Sequence, residues 1–219
     1  ETLKKHASEL LTREDVQNLV ERLRSKQPSL VGEVVGELVP VGLLQRILKN
    51  LLSDQVPIRS LTTILETLGE HAAKTKNSMT LTELVRKSLS RTITDMYKDD
   101  ANKVAAIILD PSLEHQLSSV VHQEGETLAL SLPAEIAMEL SRKTAEAWRK
   151  VMDTGRDRVV LLCDSKLRVP LASMLARTVP PLPIVAYDEI ELGTEIEPVE
   201  SISIKQLDIA SMQQELVNT

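Results

Sequence analysis

The sequence predicts a helical subdomain followed by a small α/β subdomain with a mostly parallel sheet. Three observations predict it. From residue 12 to 97 apolar residues recur at helical spacing between short polar breaks. "KDDANK" (98–103) then marks a change of grammar. Beyond it, apolar runs of strand length alternate with helical patterns. The 219 residues suffice for one large domain or two small ones.

The elements follow in order. "TRED" (12–15) places Thr12 as N-cap and Asp15 at the third helical position, close to a capping box. Val16, Leu19, Val20 and Leu23 form the stripe of that helix. Pro28 suits the start of the next, which carries Leu30, Val31, Val34, Val35 and Leu38 and ends at Pro40. Leu44, Ile47, Leu48, Leu51 and Leu52 then occupy one helical face, opposite Gln45, Arg46, Lys49 and Asn50. "SDQVP" (53–57) breaks that helix. Ile58, Leu61, Ile64, Leu65 and Leu68 form another stripe, with Arg59, Thr62, Thr63 and Glu66 across from it. "TKNSM" (75–79) reads as a loop. A last helix from about Thr80 to Tyr97 buries Leu81, Leu84, Val85, Leu89, Ile93 and Met96. Its wet face carries the pairs Glu83–Lys87 and Arg91–Asp95. Residues 12–97 thus read as about five helices.

In the second half "VAAIIL" (104–109) reads as a buried strand and "PSLEHQLSSVVHQ" (111–123) as a helix. "TLAL" (127–130) is a strand, 133–152 a long helix, and "VVLLC" (159–163) a strand. Residues 165–178 form a helix and "LPIVAY" (182–187) a strand. Residues 195–204 add an edge strand. The tail 205–219 is a short helix or disordered. Residues 1–11 read as the end of a preceding subdomain. The chain opens on Glu1 within what reads as a helix already under way, so we expect a piece of a longer protein whose remainder carries any membrane spans.

Composition narrows the function. Hydrophobic residues are 42% and charged residues 26%, which is a globular balance. The net charge of -6 argues against nucleic acid or anionic lipid as main partner. The presence of no Phe, two Tyr and one Trp argues against a base-stacking platform. The single cysteine, Cys163, cannot form an internal disulfide. The longest apolar runs are far short of the ~20 residues that span a bilayer, and no signal peptide opens the chain.

A search for chemistry assigns no catalytic, cofactor-binding or metal site. None of the seven glycines lies in a phosphate-loop pattern. The strand-to-helix turns "DPSLE", "LPAE" and "DSKLR" can face an anion, but ordinary capped helix starts are the commoner reading. Cys163 has no histidine nearby in sequence, so an inert buried thiol is the plain reading. His115 and His122 share a helix face at seven-residue spacing, which lacks the i, i+4 grip on a metal ion. Asp164 and Asp188 follow strands, where such folds place ligands, yet both read as helix N-caps. "YDEIELGTEIEPVE" (187–200) holds six carboxylates in fourteen residues; it is a docking surface for a basic partner or a solvated face.

Several blocks carry a resemblance. They are "HASELLTREDVQNLVERL", "LVGEVVGELVPVGLLQRILKNLLSDQVPIRSLTTILETL", "LTELVRKSLSRTI", "ILDPSLE" and "LLCDSKLRVPLASMLARTVPPLPIVAYDEI". In this order they resemble the cytoplasmic region of the type III secretion export-gate family (FlhA/SctV), over about residues 3–190, and the flagellar branch more than the injectisome branch. The resemblance implies a longer protein with an N-terminal membrane domain and a cytoplasmic region of four subdomains. This chain would be the end of the first, the helical third and the α/β fourth. It implies nonameric rings on the cytoplasmic face of the bacterial inner membrane, docking of chaperone–substrate complexes, contact with other export-apparatus proteins, and no ATPase activity. The family's main chaperone groove would lie in the subdomains absent here. Since ring contacts in the family involve the helical subdomain, Arg46, Asn50, Arg59 and Glu66 are candidates for the subunit interface; otherwise they form a solvated face. An α/β enzyme or nucleotide-binding module with a helical extension is the alternative. A plain helical adaptor leaves the ordered match unexplained.

Overall fold

Thr12 caps its helix as the sequence predicts. Its Oγ1 accepts from the Asp15 N–H at 3.1 Å, and Asp15 Oδ2 accepts from the Thr12 N–H at 2.9 Å. These bonds, the side-chain one with Thr12 foremost, hold the Asp15 carboxyl below its usual range. The computed structural model describes residues 7–179 and 182–204. The chain divides between Asp95 and Met96 into two compact units. The tail expected at 205–219 and the first six residues lie outside the described residues.

The first unit is helical: α1 Ala7–Leu10, α2 Arg13–Arg24, α3 Pro28–Val34, α4 Val41–Ser53, α5 Leu61–His71, α6 Ser78–Ser88 and α7 Ser90–Tyr97, which crosses the boundary. Leu44, Ile47, Leu48, Leu51, Ile64, Leu65 and Leu68 are fully buried. Each contributes roughly 1.5–3 kcal/mol, so these stripes set where α4 and α5 lie. Both pack on α6, and α3 packs on α5. Close approach explains Gly69: a Cβ there would meet Val34 Cγ2 at 3.0 Å.

Three boundaries differ from expectation. α3 stops at Val34, because Val35 bridges to Val39 across a turn in which Gly36 takes φ 134°. The helix expected over 80–97 begins earlier, at Ser78, where Asn77 Oδ1 accepts from the Thr80 N–H at 2.9 Å. It is also two helices. Ser88 Oγ donates to Val85 O at 2.8 Å and accepts from Thr67 Oγ1 at 2.8 Å, and Leu89 leaves helical geometry with ψ 15°. A serine side chain competing for the last turn ends α6. Leu52, expected on the core stripe, is only half-buried, and Leu43 is buried instead.

The second unit holds a four-stranded sheet in the order β5–β4–β1–β6. Its strands are β1 Lys103–Leu109, β4 Val159–Cys163, β5 Ile184–Ala186 and β6 Glu195–Ile202. Every pairing in it is parallel. The helices are α8 Pro111–Ser119, α9 Ala134–Met152 and α10 Ser165–Leu175. One core joins Ile107, Leu161 and Cys163 of the sheet to Leu113, Leu140 and Leu167 of the three helices. Val104, Ala106, Val160, Leu162 and Val185, at alternate positions, are buried too. Burial of both faces is why these strands read as unbroken apolar runs.

The expected strand "TLAL" exists but lies outside the main sheet. β3 Thr127–Leu130 pairs antiparallel with β2 Val121–Glu124 around Gly125 at φ 60°. Helix α8 therefore ends at Ser119, short of Gln123. The edge strand expected over 195–204 is β6. Its register shifts between Ala106 and Ile107, where Pro198 lies opposite Ala106. Proline without an N–H is tolerated on such an edge.

Candidate functional site

The four candidates in the helical unit divide by environment. Arg46 and Asn50 sit one turn apart on α4, Arg59 in the segment before α5, and Glu66 on α5. Arg46, Arg59 and Glu66 are exposed. Asn50 is half-buried, and its Nδ2 donates to Thr82 Oγ1 at 3.1 Å and reaches Met79 Sδ at 3.5 Å. It has work inside the unit, tying α4 to α6. The polar stripe of residues 43–68 is thus carried by two helices that each pack on α6.

Sequence reasoning missed Arg86. It is 2% exposed inside α6, and its Nη1 lies 3.0 Å from Asp54 Oδ2 at the end of α4. The hint is positional: Ser78, Thr82 and Arg86 recur at i, i+4, i+8, so a polar line runs beside the apolar one.

In the α/β unit, Asp164 and Glu114 meet at the carboxyl end of the sheet. Asp164 caps α10 by accepting from the Lys166 N–H at 2.8 Å, and its own N–H donates to Glu114 Oε1 at 2.7 Å. Asp110 caps α8 through the Ser112 N–H at 2.9 Å. The starts of α8 and α10 are thus already occupied by the chain's own carboxylates, while α9 begins after Pro133 with no side-chain cap. Asp188, expected as an N-cap, lies inside a 3₁₀ turn, Tyr187–Glu189; Glu189 supplies the cap by accepting from the Ala186 N–H at 3.0 Å. Glu189 and Arg168, each 3% exposed at the side chain, stand 4.0 Å apart, another buried charge pair that the sequence conceals.

Partial burial raises the Glu114 carboxyl, opposed in part by the Asp164 N–H. Cys163 is fully buried at the end of β4. Desolvation, with the Glu114 charge second, pushes its thiol well above the ordinary value. A nucleophilic cysteine needs the opposite shift. His115 and His122 do not share a helix: His115 is on α8, and His122 is on β2 with Nδ1 at 3.0 Å from Ser131 Oγ. Among the described residues no three His, Cys, Asp or Glu side chains are grouped to hold a metal ion.

The acidic run 187–200 is largely neutralised by the chain itself. Glu195 pairs with Lys103 at 2.8 Å, Glu197 accepts both Arg156 guanidinium nitrogens at 2.9 and 2.7 Å, and Glu200 meets Lys150 at 2.6 Å. The Arg156 hydrogen bond holds the Glu197 carboxyl below its usual range. Three of the six carboxylates are therefore ion-paired along β6 and Glu189 is buried. The run seals an edge strand with paired charge more than it offers an open acidic face.

The comparisons with known proteins bear on both units. A model of the FHIPEP family matches residues 1–195. The flagellar biosynthesis protein FlhA of Bacillus subtilis is 30% identical over 204 residues, covering 93% of this chain. The chain spans 30% of the length of that relative. The CdsV protein of Chlamydia pneumoniae superposes with a TM-score of 0.82 at 26% identity, over 92% of this chain and 57% of that one. The nonameric cytoplasmic part of SctV from EPEC gives a TM-score of 0.81 at 21% identity, over 92% of this chain and 60% of its own, a likeness of fold alone.

Proposed function

This chain belongs to the FHIPEP family, and from that premise we propose that it is cytoplasmic machinery of a flagellar type III export gate. On this reading it is a ring-forming scaffold that docks export substrates and their chaperones and catalyses nothing itself. The observation that carries the reading is that one family model spans both units in a single match, residues 1–195. The flagellar branch is favoured because curated relatives from Bacillus subtilis, Proteus mirabilis and Escherichia coli, 30–33% identical, are all named flagellar biosynthesis protein FlhA. The whole protein would stand at the cytoplasmic face of the inner membrane, held there by a domain outside this chain. Among the described residues no helix is long and apolar enough to cross a membrane.

Within that scaffold, Arg46, Asn50, Arg59 and Glu66 are placed at or near the contact between subunits. The reading is supported by the exposure of three of them and by the ring contacts that the family resemblance implies for a helical subdomain. The test is export in the source organism. Deleting residues 12–200 from the full-length gene should abolish hook protein and flagellin in the medium while the membrane part persists at normal levels. Normal secretion of both would overturn the proposal.

A further inference from the structure

The two halves of β6 are held differently, the first by charge and the second by the core. β6 is an edge of the sheet, with β1 as its neighbour. Its register passes from Pro198 opposite Ala106 to Glu200 opposite Ile107, so Val199 is the extra residue of a β-bulge. Side chains alternate along a strand, and the bulge resets that alternation. Glu195, Glu197, Glu200 and Ile202 therefore share the face of Lys103, Ala105, Ile107 and Leu109, where the core of the unit lies. Past the bulge, Ile202 and Ile204 are buried, and Ile202 O accepts from the Asp110 N–H at 2.8 Å. From Glu195 to Val199 no residue is buried.

The first half is fastened by side chains that keep water. Lys103 holds Glu195, Arg156 holds Glu197 with both guanidinium nitrogens, and Lys150 holds Glu200 at the bulge. Each of these six side chains is at least 23% exposed. The bonds at the entry to the strand are long: the Glu195 N–H reaches Asn102 O at 3.2 Å, and Asn102 Nδ2 reaches Gly193 O at 3.2 Å. Two hollows of about 430 and 400 Å³ meet at the Arg156–Glu197 pair, and both residues line each of them. The first half thus borders open space where the second half is seated in the core. Arg156 itself comes from an exposed loop that turns at Gly155, φ 80°.

We propose that residues 195–199 are a charge-latched strap, which leaves β1 as a unit about the Val199 bulge while Ile202 and Ile204 stay seated. Opening bares the Lys103–Ala106 edge of β1, which these residues cover. Arg156 is the main latch, because its bond to Glu197 is bidentate. Exposed ion pairs are weak singly, and salt cuts the reach of a charge from about 30 Å at 0.01 M to about 3 Å at 1 M. The strap is therefore sensitive to salt, and the core half is not. The inference stands independently of the secretion role.

The test is hydrogen–deuterium exchange of the full chain at 0.01 M and 1 M sodium chloride, resolved by mass spectrometry, with β4 as internal reference. Peptides covering 195–199 and 103–106 should exchange about fivefold faster at high salt, while Val159–Cys163 keeps its protection. Arg156→Gln should bring most of that acceleration already at 0.01 M and leave β4 protected. Equal exchange of 195–199 at the two salt concentrations would overturn the proposal, as would an Arg156→Gln protein that exchanges like the parent. Acceleration shared equally by β4 would overturn it too, because salt would then loosen the whole unit and not a strap.

Discussion

Asn50 and Thr82 are joined across α4 and α6 by a hydrogen bond of 3.1 Å, and Thr82 Oγ1 also donates to Ser78 O at 2.7 Å. Losing the Asn50 amide therefore leaves Thr82 with its own acceptor. Asn50→Ala should lower the stability of the helical unit by about 1 kcal/mol, the net worth of one such bond. Urea unfolding followed by helical circular dichroism measures it. An unchanged midpoint would show that α4 and α6 do not use the bond in solution.

Arg59 supplies the contrasting case. It is exposed in the segment before α5, and surface substitutions usually stay within about 0.5 kcal/mol. Arg59→Glu should leave the melting temperature in place and weaken ring assembly of the full-length protein, seen by sedimentation or electron microscopy. Intact rings would remove Arg59 from the interface.

The same two residues show what the sequence discloses. Helical spacing located the stripes of α4 and α5, since Leu44, Ile47, Leu48, Ile64, Leu65 and Leu68 are all buried. It also exposed the strands, because burial on both faces leaves unbroken apolar runs. It missed the break at Leu89, since Leu81, Val85, Leu89 and Ile93 keep a spacing of four across it. The sequence shows β3 as a strand but hides β2 at the end of a helical pattern, because a strand of four residues is too short for a period to emerge. Arg86, Arg168 and Glu189 stayed hidden because a buried charge depends on a partner remote in sequence: Arg86 needs Asp54, thirty-two positions away. Asn50 looked like a surface residue for the same reason, its partner being on another helix.

Arg86 and Asp54 make the strongest stability prediction. The arginine side chain is 2% exposed and the aspartate 32%. Removing the anion takes a charged partner from a desolvated cation, and breaking a fully buried pair in this way typically costs 3–5 kcal/mol. Asp54 keeps some water, so Asp54→Ala should cost about 2–3 kcal/mol. Adding Arg86→Met should recover part of that loss, because the buried cation that lost its aspartate is then replaced by an apolar side chain. A double variant less stable than the sum of the two singles would argue against this account.

Glu114 gives the pH signature. Burial raises its carboxyl above the usual 4.5, so just above that value the folded state binds more protons than the unfolded one. Stability then falls as pH rises through that window, since its slope follows protons bound unfolded minus folded. Glu114→Gln keeps an oxygen for the Asp164 N–H and removes the titration. Urea midpoints of the variant should decline less between pH 4.5 and neutrality than those of the parent. Parallel curves would show that Glu114 stays hydrated.

Cys163 tests whether the carboxyl end of the sheet is closed. The side chain is fully buried, its Sγ approaches Val185 O at 3.9 Å, and desolvation keeps the thiol protonated. A thiol reagent attacks the thiolate, so it must wait for the strand to open. For an opening free energy of about 5 kcal/mol, labelling should be slower than for an unfolded thiol by a factor on the order of a thousand or more. Dithionitrobenzoate kinetics in buffer and in urea supply the ratio. Labelling should accelerate in step with unfolding of the α/β unit. Rapid labelling in buffer would mean that β4 opens readily, and the inert-thiol assignment would fall with it.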